Sequence, residues 1–242
     1  MTFCVGLQVR EGLVALADTQ IVRGAEVSSK GKVSIHDHDG RPIFVMTSGL
    51  RSVRDKVVLR LEDRLAALDP PSSRLHQVVT MFGDELKAVR LEDGPSLEDS
   101  GLSFNLHAII GGQLADDDEP GLFMVYPEGN WVTATDDSPA FIIGRTSYGK
   151  PILDRLLTPA TAIPQAIVLA YLAFDATQAS VADVDFPIDL VVWTGGRLHE
   201  RRFETGDLTA AHAFWHAQLQ QGLQAFPTDW AASLWQDATL RP

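Results

Sequence analysis

A single cysteine, Cys4, stands among the 242 residues, so no disulfide can close within the chain, and a reducing compartment fits. Long apolar runs are missing too. None approaches the roughly 18 to 20 residues that a membrane-spanning helix requires, and no basic segment followed by an apolar one opens the chain. The expectation is a cytoplasmic protein with no membrane partner. Positive charge is scarce: 20 Lys and Arg face 32 Asp and Glu, a formal net charge of −12. That balance repels polyanions, so nucleic acid is disfavoured as a partner. Two catalytic signatures are absent as well. There is no Gly-x-Ser-x-Gly elbow for a serine hydrolase, and Gly144 to Lys150 lacks the spacing of a phosphate-binding loop.

What is present is a chain long enough, at 45% apolar residues, to bury one substantial core. Phe3, Val5, Leu7 and Val9 alternate with Thr2, Cys4, Gly6 and Gln8, which predicts a strand beginning almost at the first residue. Arg10-Glu11-Gly12 turns the chain into a second apolar run, Leu13 to Ala17, whose end presents Asp18. A polar loop follows. Short β-type runs at Val33 to Ile35 and Ile43 to Met46 flank His36 to Gly40, read as a turn with both histidines at the surface.

Two amphipathic helices come next, joined at Pro70-Pro71. One carries Val53, Val57, Leu61, Leu65 and Leu68, and the other runs from Leu75 to Val89 at the same spacing. Phe104 to Ile110, Leu122 to Tyr126, Trp131 to Thr135 and Phe141 to Ile143 read as strands. Ile152 to Leu157 and Ile163 to Phe174 read as helices, the latter apolar nearly all round and so buried between layers. Ile188 to Trp193 and Leu198 to Phe203 form a hairpin about Gly195-Gly196. The rhythm of strands, two helices, strands, two helices, strands suits a four-layer αββα sandwich of two stacked antiparallel sheets. Residues 1–206 are expected to form this domain, with 207–242 a helical extension packed on it.

Thr2 carries the chemistry that the second position allows. Removal of Met1 is expected because the next side chain is small, and Thr2 would then hold a hydroxyl nucleophile and a free amine on one residue. The amine serves as the hydroxyl's base with no histidine needed. An α-amine titrates near about 7.7 to 8.0 in model compounds, close to the range useful at neutral pH.

Met1 to Leu7, the turn at Glu11-Gly12 into Leu13-Val14, and Ala17-Asp18 resemble the opening of the Anbu family and, more loosely, of proteasome β subunits. The resemblance runs to about Phe203. It implies an N-terminal-nucleophile peptidase or amidase of the αββα fold that needs no cofactor or metal. It makes Thr2 the nucleophile, Asp18 the carboxylate holding a lysine, and Lys32 that lysine, with Lys30 as a substitute. Gln20 stands where the family often has arginine. Ser48-Gly49-Leu50 is similar to the strand-to-helix turn whose glycine N–H forms an oxyanion hole, so Gly49 is the candidate donor. The stretch from Ile143 to Asp154 is the longest that resembles the family. It offers Ser147, or else Thr146, as the serine near the nucleophile. Phe174 to Thr177 resembles the segment bearing a second aspartate, Asp175, which orients the amine. Gln178 or Ser180 falls near the family's following serine. The resemblance also implies a homo-oligomer, a ring or an open spiral, acting on peptide or amide substrates, and assigns no ATPase partner.

Blander assignments compete with these. His212 and His216 are four apart on a predicted helix, yet lack the glutamate and third ligand of a zinc site. Cys4 sits inside a strand with no adjacent histidine and is expected to pack rather than react. A self-assembling scaffold that kept the fold without useful catalysis is the alternative function.

Overall fold

A computed structural model of the protein describes residues 2–23, 26–29, 31–69 and 71–236. The chain divides into two compact units, Met1–Glu204 and Thr205–Pro242. The first unit holds two five-stranded antiparallel sheets.

One sheet is built on β1 (Phe3–Val9), which runs antiparallel to β2 (Gly12–Asp18) on one side and to β10 (Ala140–Gly144) on the other. β11 (Ile188–Thr194) and β12 (Arg197–Phe203) extend it beyond β2, in the order β10-β1-β2-β11-β12. The second sheet follows the order β5 (Val33–His38), β6 (Arg41–Gly49), β7 (Leu106–Gly112), β8 (Gly121–Val125) and β9 (Trp131–Thr133).

Alternation along the strands makes the layers. Cys4, Leu13, Ala15 and Ala17 of the first sheet meet Phe44, Met46, Ile109 and Leu122 of the second in one buried cluster. The intervening residues Ile43, Val45, Ala108 and Ile110 point the other way, onto α1 (Arg51–Ala66) and α2 (Leu75–Asp99). On the far side of the first sheet lie α3 (Lys150–Leu156) and α4 (Ile163–Gln178). There Phe3 meets Phe174 of α4 with ring centroids 6.3 Å apart. The expected four-layer αββα arrangement is therefore observed, but α4 lies in an outer layer and not between layers: one face, with Ala166, Ala170, Ala173 and Phe174, is buried, while Val168 is 52% exposed.

Three details differ from the sequence reading. The polar stretch after Asp18 forms a two-stranded ladder, β3 (Gln20–Arg23) with β4 (Glu26–Ser29), held by main-chain pairing that needs no apolar period. β5 continues through His36 to His38, and only Asp39-Gly40 turns, both at positive φ. His38 is consequently buried, with its Nε2 3.0 Å from the Ser72 carbonyl, and His36 Nδ1 lies 2.9 Å from Glu62. Third, α2 runs past Val89 and through Pro95, which is solvent-exposed, to reach Leu97, which packs against the core under that helix pair.

The second unit contains α5 (Thr209–Ala225), a short 3-10 turn at Asp229–Ala231, and α6 (Ser233–Gln236). No described helix is long and apolar enough to cross a membrane.

Candidate active site

The start of β1 is gripped from both sides. Because β1 is central, the N–H and C=O of the Thr2–Phe3 peptide point to opposite neighbours. Toward β2, the Phe3 N–H donates to Asp18 Oδ1 at 2.7 Å. Toward β10, the Thr2 carbonyl accepts from the Arg145 N–H at 2.8 Å. Gly144 makes the second contact possible: at φ +90° it lies against Thr2, and a Cβ there would stand 1.8 Å from the Thr2 oxygen.

Asp18 ends β2 with no exposed surface, and its other oxygen accepts from Lys32 Nζ at 2.6 Å. Lys32 comes from the residue before β5, pinned there by the Thr47 N–H donating to its carbonyl at 3.2 Å. One carboxylate thus links an ammonium to the peptide that follows Thr2. Burial pushes the Asp18 carboxyl above its ordinary range, while the charge and hydrogen bond of Lys32 and the Phe3 N–H pull against that rise.

Gly49 closes β6 and directly precedes Leu50, the residue that caps α1. Its φ is +144°, and a Cβ would stand 2.0 Å from the Asn105 carbonyl oxygen, so only glycine fits this corner. The Cys4 thiol, 4.0 Å from the Thr47 carbonyl, ties this end of β6 to the start of β1. Asp175 is buried on α4, where the Tyr171 hydroxyl approaches it at 3.5 Å. Burial first and the Asp175 charge second push that phenol up to about 12. The adjacent Phe174 packs on Phe3 and, 5.2 Å away edge-on, on Phe186.

Ser147 and Thr146 lie exposed on the turn before α3. Gln178 donates its side-chain amide to Asp185, and the Ser180 hydroxyl donates back to the Ala176 carbonyl at 2.8 Å. Lys30 lies outside the described residues. Beside Lys32 opens a cavity of about 530 Å³, whose walls include Thr47, Ile35, Val58 and Leu59, with Arg54 and Glu62 also on its lining. Among the described residues no group of His, Cys, Asp and Glu side chains is placed to hold a metal ion.

Solved structures place the chain in context. It is similar to an Anbu (Gly-1) mutant from Hyphomicrobium sp. strain MC1, with 30% identity, 94% of this chain and 98% of that one covered, and a TM-score of 0.85. The chain belongs to the Anbu family. Other Anbu structures agree: the ancestral β-subunit from Yersinia bercovieri at 25% identity, 93% and 98% coverage and TM-score 0.83, and the Anbu complex from Pseudomonas aeruginosa, a helical assembly, at 28%, 93% and 97%, and 0.85. No protein-family model and no curated protein matches the chain.

Within this Anbu chain, then, Asp18, Lys32 and the Thr2–Phe3 peptide come together as one bonded cluster. Gly49 takes the strand-to-helix corner, Asp175 is buried on α4 next to Phe174, which packs on Phe3, and Ser147 stays at the surface. Sequence reading did not find Arg145 or Asp183. The Arg145 guanidinium donates to Asp183 Oδ2 at 3.0 Å. Burial is the largest single influence at Asp183 and favours the neutral acid, but the hydrogen bond from Arg145 and the positive charges nearby together outweigh it, and the carboxyl sits below its ordinary range. The only signal was that Arg145 follows Gly144 in the stretch resembling the family.

Proposed function

We propose that this chain is a threonine-type N-terminal-nucleophile hydrolase of peptide or amide bonds, active once Met1 has been removed. The observation that carries the reading is the Asp18 carboxylate, buried and bonded at once to Lys32 Nζ and to the N–H next to Thr2, at 2.6 and 2.7 Å. An ion pair wholly taken from water costs more than it returns unless its geometry is good and its remaining lone pairs are used. Here it holds a cation beside the residue that would carry the nucleophile.

Thr2 Oγ1 attacks the substrate carbonyl carbon and its proton passes to the Thr2 α-amine. The oxyanion accepts a hydrogen bond from the Gly49 N–H, a donor fixed in place before reaction. The amine returns the proton to the departing nitrogen, the C–N bond breaks, and an ester remains on Thr2. Water, deprotonated by the same amine, then attacks the ester carbonyl; the acyl C–Oγ1 bond breaks, the amine returns its proton to Thr2 Oγ1, and the acid is released. The Lys32 ammonium disfavours protonation of the amine and so keeps it available as a base. Asp175 orients the amine from beneath, and Ser147 is the further hydroxyl of the site. The cavity beside Lys32, with Ile35, Val58 and Leu59 in its wall, receives an apolar side chain of the substrate. Self-assembly into a ring or open spiral in the cytoplasm completes the reading, supported by the helical assembly of the Pseudomonas relative and the absence of a membrane-crossing helix among the described residues.

Intact-mass measurement of the native protein, followed by acyl-probe labelling and turnover of short peptide esters and amides, tests this. The expected result is loss of Met1, one acyl group on Thr2, and no turnover by Thr2→Ala. Retained Met1, or a Thr2→Ala variant as active as the parent, ends the proposal.

A further inference from the structure

Two ion pairs flank the Thr2–Phe3 peptide, and the mechanism above uses only one. Asp18–Lys32 lies on the β2 side. On the β10 side, Arg145 bonds the Thr2 carbonyl through its main-chain N–H at 2.8 Å and reaches Asp183 with its guanidinium at 3.0 Å. The second pair is only partly covered, with side chains 34% and 20% exposed. The Arg145 Nε is nevertheless enclosed without a hydrogen-bond partner. An enclosed N–H left unsatisfied is costly and calls for a reason.

We infer that Arg145 and Asp183 are a second positioning pair, which fixes the Thr2 main chain and sets the proton affinity of the freed Thr2 amine. The inference rests on the N-terminal-nucleophile reading. Their charges act in opposite directions. Asp183 favours an ammonium at Thr2, and Arg145 opposes it, so the pair holds the amine between the two extremes. Other charged groups described on the neighbouring elements have partners of their own. Asp18 is bonded to Lys32 and Phe3; Asp175 is approached by Tyr171; Asp185 accepts from Gln178 and from the Phe186 N–H; and Lys150 of α3 pairs with Asp154 at 2.7 Å on the exposed face. Arg145 and Asp183 therefore form the ion pair through which the β10 side acts on the amine.

The test is the pH dependence of kcat/KM for the native chain, Arg145→Gln, Asp183→Asn and Arg145→Lys. In parallel, the Thr2 amine is titrated by competitive acylation read by mass spectrometry, which needs no turnover. Arg145→Gln should move the limb near neutrality to higher pH, because an ammonium beside a less compensated Asp183 gives up its proton less readily. Asp183→Asn should move it to lower pH, each by roughly half a unit given partial exposure, and Arg145→Lys should stay near the parent. Shifts in the same direction, or no shift in folded variants, overturn the inference while leaving the nucleophile reading intact. Native protein whose Thr2 is free and titrates as expected, but never becomes acylated by substrate, sinks the nucleophile reading and keeps the pair. Retained Met1 sinks both.

Discussion

The two sides of the Thr2–Phe3 peptide solve one problem with different physics. On the β2 side the carboxylate is fully buried and the lysine side chain 7% exposed, so neither charge has water to fall back on. On the β10 side the guanidinium and carboxylate keep 34% and 20% of their side-chain surface. Coulomb interactions strengthen as water is excluded. The buried pair is therefore all-or-none, part of what makes the site exist, whereas the half-exposed pair can only adjust it. Variants that break each side should separate these two roles.

The largest effect belongs to Lys32→Ala. Removing one partner of a buried pair leaves the other uncompensated and typically costs about 3–5 kcal/mol, and turnover should vanish with it. The pH dependence of that cost has a definite sign. Without Lys32, Asp18 keeps the burial that already raises its carboxyl and loses the strongest pull against it. A carboxyl raised on folding lends stability below its unfolded value that is lost as pH rises through the folded one. The variant should therefore be closest to the parent in acid and fall away toward neutrality in denaturant titrations. A constant deficit across pH would mean that Asp18 does not govern the loss.

Gly144→Ala comes next. It strikes the β10 side through the main chain rather than through charge, since the added Cβ would stand 1.8 Å from the Thr2 oxygen. Backbone held at φ +90° adds a strain of order 1–3 kcal/mol for a non-glycine residue. Folded variant with kcat lowered and KM little changed is the expected outcome. Parent-like kcat would show that the Thr2 carbonyl need not be held for the chemistry.

A smaller effect concerns acid inactivation of the parent. Asp18 must be ionised to hold Lys32, and its carboxyl is raised by burial. Activity should accordingly fall at a pH above the ordinary carboxylate range. Asp18→Asn, neutral at every pH, should show low activity without that limb. A parent profile flat down to the ordinary carboxylate range would contradict the raised carboxyl.

The β2 side was legible in the sequence and the β10 side was not, for a physical reason. Phe3 to Val9 and Leu13 to Ala17 alternate or run apolar because both faces of their sheet are covered. The hairpin they form fixes Asp18 near Phe3, and Lys32 stands directly before the next strand. Arg145 and Asp183 are 38 residues apart, on a turn and a loop, and each alone looks like a solvated charge. Nothing local distinguishes them from Lys150 and Asp154, which are solvated. The same limit explains the β3–β4 ladder, which depends on backbone pairing, and His38, whose burial depends on a carbonyl 34 residues away. The αββα architecture was readable because helix and strand periods are imposed residue by residue; contacts between distant loops are not.

Cys4 gives the smallest predicted effect and sharpens the contrast from the buried side. It lies two residues past Thr2, with no exposed surface. Burial pushes its thiol far up, and the nearby Lys32 charge, the next-largest influence, does not offset this. A buried, protonated thiol is neither a nucleophile nor accessible to one. Native protein should resist alkylation at neutral pH, with labelling appearing only on unfolding. Cys4→Ala should lose on the order of 1 kcal/mol of packing and keep its turnover. Rapid alkylation of folded protein, or a Cys4→Ala variant that is folded but inactive, would show that the β2 side is more open than its burial implies, and that the division between a sealed pair and an adjustable one does not hold.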